Sequence, residues 1–314
     1  MKKCFFEKIL LPVDRSEHSR RAVNFTGLLL SKMENILPEV TLFHVITGQH
    51  LSEILKSIHL KEKDIKDYEF FKKSKEKYIK EFIEPFLHEY AEILKEAGFK
   101  GEIKQEIEEG DAGNKIIEIT KEQKFSAIMM SRRGMSEIKS LILGGVSNKV
   151  ICSLKNQNIY IVGQKIYEEN HCPVPYILIP VDGSEYSMKA VEHGACLANF
   201  VKGIKKITIL RVVNISLYLE RIRQGIDPEE EAKDILIKAQ NVFLKEGISP
   251  ELIKTKILVG LPAEEIVRDI QEHNYNLVIM GRKGRSALKS LIFGGVSSAV
   301  INRCLEPTVA IINM

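Results

Sequence analysis

Short runs of branched apolar residues alternate along the chain with longer stretches in which apolar positions recur every three or four residues. In the second half the runs fall at 176–181, 207–213, 253–259, 277–280 and 308–312. Their length and continuity predict strands buried on both faces. Ser184 precedes an amphipathic stretch that reaches Phe200, with Gly203 beyond it, and Pro262 opens another over 263–272. A polar cap, a proline in the first turn and a closing glycine predict helices at both places. A further helix is expected over 298–303. Strand, helix, strand, helix predicts an α/β fold in which a parallel sheet is flanked by helices.

The first half has the same rhythm with one interruption. Met1 to Phe6 put lysines before apolar residues as an export signal would, but Glu7 and Lys8 break the run and Pro12-Val13-Asp14 follow, so the opening reads as a first strand. The stretch 61–100 is rich in Lys and Glu, with Tyr78, Phe82, Ile83, Phe86, Tyr90, Ile93 and Leu94 near helical spacing. It predicts a long amphipathic helix with a solvated outer face; a partner-binding helix is the alternative.

The chain also repeats itself. Gly134 to Ser147 (GMSEIKSLILGGVS) and Gly284 to Ser297 (GRSALKSLIFGGVS) agree at 10 of 14 positions. The stretch from Ile9 to Glu17 matches that from Ile177 to Glu185, Leu42 to Val45 matches Ile209 to Val212, and Gly110-Asp111-Ala112 corresponds to Gly260-Leu261-Pro262-Ala263. A period this long means duplicated domains, because solenoid repeats run to only about 20–50 residues. The offset falls from 168 at Asp14/Asp182 to 150 at Gly134/Gly284, so the first copy has about 17 additional residues after its second strand. The division is a first domain at 1–163 with a helical insertion at about 49–90, a linker at 164–175 and a second domain at 176–314. The two domains are expected to pair inside the chain through their last strands, around Ile159 to Val162 and Thr308 to Ile312, which would hide two sheet edges.

Glycines carry the candidate chemistry. The strand ending at Met280 runs into Gly281, with Gly284 three positions on, then Gly294-Gly295-Val296-Ser297 before the last helix. Glycines at the carboxyl end of a strand let backbone N–H groups approach an anion, and a helix N-terminus adds unpaired donors and a positive dipole. A phosphate chain is the natural ligand. In an open parallel sheet such ligands settle at the topological switch point, where Asp182 follows the first strand and Val212 nears the end of the second. The competing reading is that the glycines only permit turns and that Asp182 with Ser184 only caps a helix.

This pattern resembles the universal stress protein family, whose signature is Gly, two residues, Gly, nine residues, then Gly with Ser or Thr. Gly281-Arg282-Lys283-Gly284, nine residues and Gly294 fit it, and the resemblance covers nearly the whole chain as two tandem domains. It implies two doubly wound parallel-sheet domains of the adenine nucleotide α-hydrolase-like type that bind ATP or AMP, with Mg2+ as an accompanying ion. Carried over by position, Asp182 and Val212 would hold adenosine, with Pro180, Val181 and Met280 beside them. Gly281 and Gly284 would serve the ribose and nearer phosphates, and Gly294, Gly295, Val296 and Ser297 the phosphates. The first copy offers Pro12, Val13, Asp14, Val45, Gly134, Gly144, Gly145, Val146 and Ser147 at the matching places.

Two departures bear on the site. Gly295 stands where the signature has Ser or Thr, which removes a hydroxyl that Ser297 is expected to replace. Ser131 stands where the first copy should open with glycine, and if that turn needs a positive φ, serine is the poorer residue there. The second copy is therefore the expected site. Arg132, Arg133, Arg282 and Lys283 are expected either to pair with phosphates or to be solvated.

Composition narrows the classes. A formal charge of +4 leaves 28 basic and 24 acidic residues in the first 165 positions and 18 of each in the rest, too small a bias for nucleic acid. No apolar run approaches the ~18–20 residues that cross a bilayer, so no membrane partner is expected. Five scattered cysteines without a Cys-x-x-Cys pair fit a reducing cytoplasm. A Walker A loop, a zincin helix and a Gly-x-Ser-x-Gly elbow are all missing. The function expected is a nucleotide-binding regulatory module of the stress response, open to homodimerisation and with no catalytic or metal-ligating residue assigned. The alternatives are a slow ATPase or autophosphorylating protein using Asp182 or Ser297, and a scaffold that binds no nucleotide.

Overall fold

The computed structural model describes residues 6–33, 37–48, 50, 52, 68–134, 143–166, 172–284 and 294–313. The first half runs β1 (Lys8–Pro12), α1 (Glu17–Ser31), β2 (Glu39–Ile46), α2 (Tyr68–Tyr78), a π-helical turn (Ile79–Ile83), α3 (Glu84–Glu96), β3 (Glu102–Glu109), α4 (Ala112–Gln123), β4 (Ala127–Ser131), α5 (Gly145–Ser153) and β5 (Asn158–Val162). The second runs β6 (Tyr176–Val181), α6 (Glu185–Phe200), β7 (Lys206–Asn214), α7 (Ile215–Arg223), α8 (Glu230–Lys245), β8 (Ile253–Gly260), α9 (Pro262–Glu272), β9 (Leu277–Gly281), α10 (Gly295–Arg303) and β10 (Thr308–Ile312).

Among the described residues the ten strands form one sheet, in the order β3-β2-β1-β4-β5-β10-β9-β6-β7-β8. Pairing is parallel within each half. The halves meet through the antiparallel pair β5–β10, with Ile161 opposite Val309, Tyr160 opposite Ala310 and Ile159 opposite Ile311. The expected edge-to-edge pairing is thus present. It extends into the linker, where Gln164 N donates to Leu305 O at 2.9 Å and Lys165 N to Glu306 O at 3.2 Å. Cys172 and Val174 are buried, so the end of the linker packs against the domains. Lys202 N also donates to Lys32 O, beside a bridge between Met33 and its repeat counterpart Val201.

The sequence explains which strands lie where. β4, β5, β9 and β10 are buried along their whole length, as strands covered by helices on both faces require. β3 reads EIKQEIEE and forms one outer edge, where its charges discourage further strand addition. One core layer packs α1, α3, α6 and α8 on the sheet through residues such as Leu29, Leu87, Val191 and Phe243; the other uses α4, α5, α9 and α10 through Ile116, Val150, Ile266 and Val300. Both layers run without a break across the two halves.

Helix ends follow the sequence signals. Ser16 Oγ accepts from Ser19 N at 3.1 Å and Ser184 Oγ from Ser187 N at 3.2 Å, which caps α1 and α6. Gly98 and Gly203 both have φ +94°, a turn that favours glycine. Three expectations change. The helix anticipated over 61–100 is described only from Tyr68, since 61–67 lie outside the described residues, and it stops at Glu96 before Gly98. It also contains the π-helical turn, because Pro85 follows within α3, has no N–H to donate, and needs room for its ring against the preceding turn. The last helix starts at Gly295, three residues ahead of the sequence boundary. The first strand begins at Lys8, and residues 1–5 of the opening segment lie outside the described residues.

Candidate functional site

In each half the first and fourth strands are neighbours whose connections depart to opposite sides, which opens a crevice beyond their carboxyl ends. The predicted residues of the second copy gather there. Asp182 follows β6, Gly281 ends β9, and α10 begins at the same edge. Gly284 sits against Asp182: a Cβ added to the glycine would lie 2.6 Å from the carboxylate Oδ2. The first copy repeats this with Gly134 and Asp14, where an added Cβ would come closer still to Oδ2. Residues about a hundred positions apart are thus brought into contact in both halves.

The aspartate serves two ends. Asp182 Oδ1 accepts from Ser184 N at 3.0 Å, and Asp14 Oδ1 accepts from Ser16 N at 3.1 Å and Ser19 Oγ at 2.7 Å. The turn-holding reading is therefore realised by one carboxylate oxygen while the other faces the glycine.

Above them, α10 and α5 start on Gly294 and Gly144 with no side chain capping either helix. The first-turn N–H groups of Gly295, Val296 and Ser297, like those of Gly145, Val146 and Ser147, have no acceptor within their own helix. Each start is anchored by main chain: Gly294 N donates to Arg282 O at 3.0 Å and Gly144 N to Arg132 O at 2.8 Å. Ser297 Oγ donates to Gly281 O at 2.9 Å and Ser147 Oγ to Ser131 O at 3.0 Å. Both hydroxyls are buried, so Ser297 braces the helix against the strand end instead of replacing the signature hydroxyl. A side chain at Gly295 or Gly145 would meet nothing within 4 Å.

The expectation about Ser131 fails in its reason. Neither Gly281 nor Gly284 is among the positive-φ glycines, which are Gly98, Gly110, Gly183, Gly203, Gly225 and Gly247 among the described residues. Gly281 is required by crowding, since its Cβ would lie 2.6 Å from the Tyr186 backbone. Ser131 fits at the end of β4 and donates to Arg133 O at 2.6 Å. Left-handed strain does not separate the two copies.

Val212 and Val45 are buried and extend past the neighbouring strand, since β6 ends opposite Arg211 and β1 opposite Phe43. Pro12, Val13, Pro180, Val181 and Met280 form the buried floor. Val296 is half-buried and Val146 is exposed.

What surrounds the two crevices differs. His18, Arg21 and Arg133 line a small recess beside the first, where burial and then the charges of Arg21 and Arg133 hold the His18 pKa below its ordinary value. His44 is buried, edge-on to Phe86 and 5.4 Å from the His50 ring. Its Nδ1 lies 2.9 Å from Val13 O, which makes Nδ1 the protonated nitrogen, and burial lowers its pKa. In the second copy Arg211 takes that position and lines a cavity of about 310 Å³ with Val213, Leu217, Arg221 and Glu231. The sequence reading missed this cavity together with α7 and α8, although Ala232, Ile235, Leu236, Ala239 and Phe243 of α8 recur at helical spacing. His171, weighed with Cys172 for metal binding, lies outside the described residues.

The universal stress protein family matches this chain twice, over residues 5–155 and 175–311. A universal stress protein of Methanocaldococcus jannaschii is 26% identical over 155 residues, a match spanning 48% of this chain and 84% of the relative. Among solved structures, a universal stress protein from Archaeoglobus fulgidus DSM 4304 covers 99% of this chain and 97% of its own length, with a TM-score of 0.67 at 23% identity. A universal stress protein solved in complex with cAMP covers 45% of this chain and 97% of its own, with a TM-score of 0.35 at 21% identity. Two family matches on two halves of one sheet make the chain a tandem, two-domain member of the universal stress protein family.

Proposed function

We propose that the protein binds an adenine nucleotide, ATP or AMP, in the crevice of its second domain and acts as a stress-response regulatory module whose occupancy alters its interactions. The observation that supports this most is the convergence of Asp182, Gly284 and the glycine-opened start of α10 at the switch point. A Cβ at residue 284 would fill the space next to the carboxylate, so the cradle fits a ligand that a larger residue would exclude. Asp182 and the end of β7 would face adenosine, and the N–H groups of Gly295, Val296 and Ser297 the phosphates. Mg2+ would arrive on the phosphate oxygens of ATP.

Binding is favoured over phosphotransfer because the Ser297 hydroxyl is buried on Gly281 O and Asp182 Oδ1 holds Ser184 N. The first crevice has the same framework, with Arg21 and Arg133 beside it, which supports a second nucleotide site there. A cytoplasmic setting is supported by four cysteines outside any disulfide among the described residues.

The test is to purify the protein without added nucleotide, release any small molecule with acid and identify it by mass. Melting follows, with AMP and ATP added. A ligand that binds only the folded state at 100 times its Kd stabilises by about 2.7 kcal/mol. No retained nucleotide and no shift at millimolar AMP or ATP would leave the scaffold reading in its place.

A further inference from the structure

Arg132 and Arg282 occupy equivalent positions in the two candidate phosphate turns, yet neither side chain faces its own crevice. They are 3% and 2% exposed, and each guanidinium crosses into the other domain. Arg132 Nη1 donates to Ile301 O at 2.6 Å and Nη2 to Cys304 O at 2.7 Å, at the carboxyl end of α10. Arg282 Nη1 donates to Leu154 O at 2.5 Å and Nη2 to Cys152 O at 3.0 Å, at the carboxyl end of α5. The main chain of each arginine meanwhile holds the opening glycine of its own domain's helix. Each residue is thus tied to both phosphate helices, to the start of one and the end of the other.

This arrangement is suited to positioning. A planar fork fixes two carbonyls at once, and a cation at a helix carboxyl end complements the dipole. A two-turn helix is stiff enough that holding one end sets the other. Burial pulls Arg132 down to about 10, so it remains charged at neutral pH.

We infer that Arg132 and Arg282 are positioning residues that act across the domain boundary: Arg132 sets the start of α10, the second domain's anion donor, and Arg282 sets that of α5. The consequence for ligand rests on the nucleotide reading above; the clamp itself does not.

The experiment uses the full chain and measures backbone hydrogen exchange over α5 and α10 in Arg132→Gln and Arg282→Gln. Arg132→Gln is expected to speed exchange in α10 at least about fivefold more than in α5, and Arg282→Gln to do the reverse, since a segment opens more readily once the bonds that hold its end are gone. Equal rises, or faster exchange confined to the domain that carries the substitution, would overturn the inference. If Arg132→Gln does not give a cooperative melt, Arg132→Lys is measured by the same criterion, because it keeps the charge and loses the fork.

A second readout closes the first crevice with Gly134→Val and compares AMP with adenosine. Adding Arg132→Gln should weaken AMP about five- to tenfold and leave adenosine within about twofold. Equal loss for both ligands would count against a phosphate-helix role. If the chain without Arg132→Gln binds neither ligand, the nucleotide reading fails and the crosswise exchange pattern alone decides the clamp.

Discussion

Gly284 and Gly295 are glycines for different reasons, and the difference lies in what a methyl group would touch. At 284 it would press on Asp182 Oδ2, whereas at 295 it would stand in open space. Since φ at neither position is positive, alanine at 284 strains no backbone. Gly284→Ala should therefore cost only about 1 kcal/mol of stability, or roughly 2–4 °C in Tm, while weakening nucleotide more than tenfold in a calorimetric titration. Gly295→Ser restores the hydroxyl that the family signature carries. It should leave stability within about 0.5 kcal/mol of the parent and tighten AMP severalfold over adenosine. Unchanged AMP affinity in that variant would mean that residue 295 does not face the phosphate.

At the scale of elements, α3 reaches the first crevice. Tyr90 OH donates to Asp14 O at 2.9 Å, and burial pushes its pKa up, so it remains a donor. Tyr90→Phe should cost about 1 kcal/mol in thermal unfolding. It should also weaken any ligand of the first domain more than one of the second, as titrations in single-site backgrounds would read. An equal effect on both would detach α3 from the site. The strands were legible from sequence because a doubly covered sheet demands unbroken apolar runs, and β6 and β10 fall where those runs fall. Asp182, Gly284 and the glycine array were marked out because the chain states them twice, although the last helix starts three residues ahead of its expected boundary. Three features were not: the π-helical turn, set by a single proline; the real need at Gly281, a contact with Tyr186; and the path of Arg282, whose partners lie some 130 residues away. The last two depend on tertiary neighbours that no local pattern records, and the first on one residue inside an otherwise regular helical pattern.

Across the whole molecule, the halves share one sheet and both core layers, and their boundary holds a buried histidine. His193 of α6 meets Tyr160 of β5, with Nε2 2.5 Å from the hydroxyl, and Phe6 packs on both rings. Complete burial lowers the His193 pKa to about 3. In the unfolded chain it returns to about 6.5. Below about pH 6.5 the unfolded state binds the proton first, so stability is retained above that value and falls as pH drops toward 3, by up to about 1.4 kcal/mol per unit. His193→Phe, which copies Phe25 of the first domain, should remove much of that slope in urea unfolding measured from pH 7 to 4. A slope equal to that of the parent chain would assign the acid sensitivity elsewhere.

The β5–β10 join has an ancestral reading. In a symmetric dimer of identical chains, every contact at the twofold must be made with its own copy, and a substitution lands on both sides at once. Fusing two copies into one chain lifts that restriction. Tyr160 lies opposite Ala310 in the ladder and meets His193, while the repeat counterpart of His193 is Phe25, so the two sides of the seam have already diverged into complementary halves. Covalent linkage lets one copy specialise while the other keeps the shape that its sister folds against.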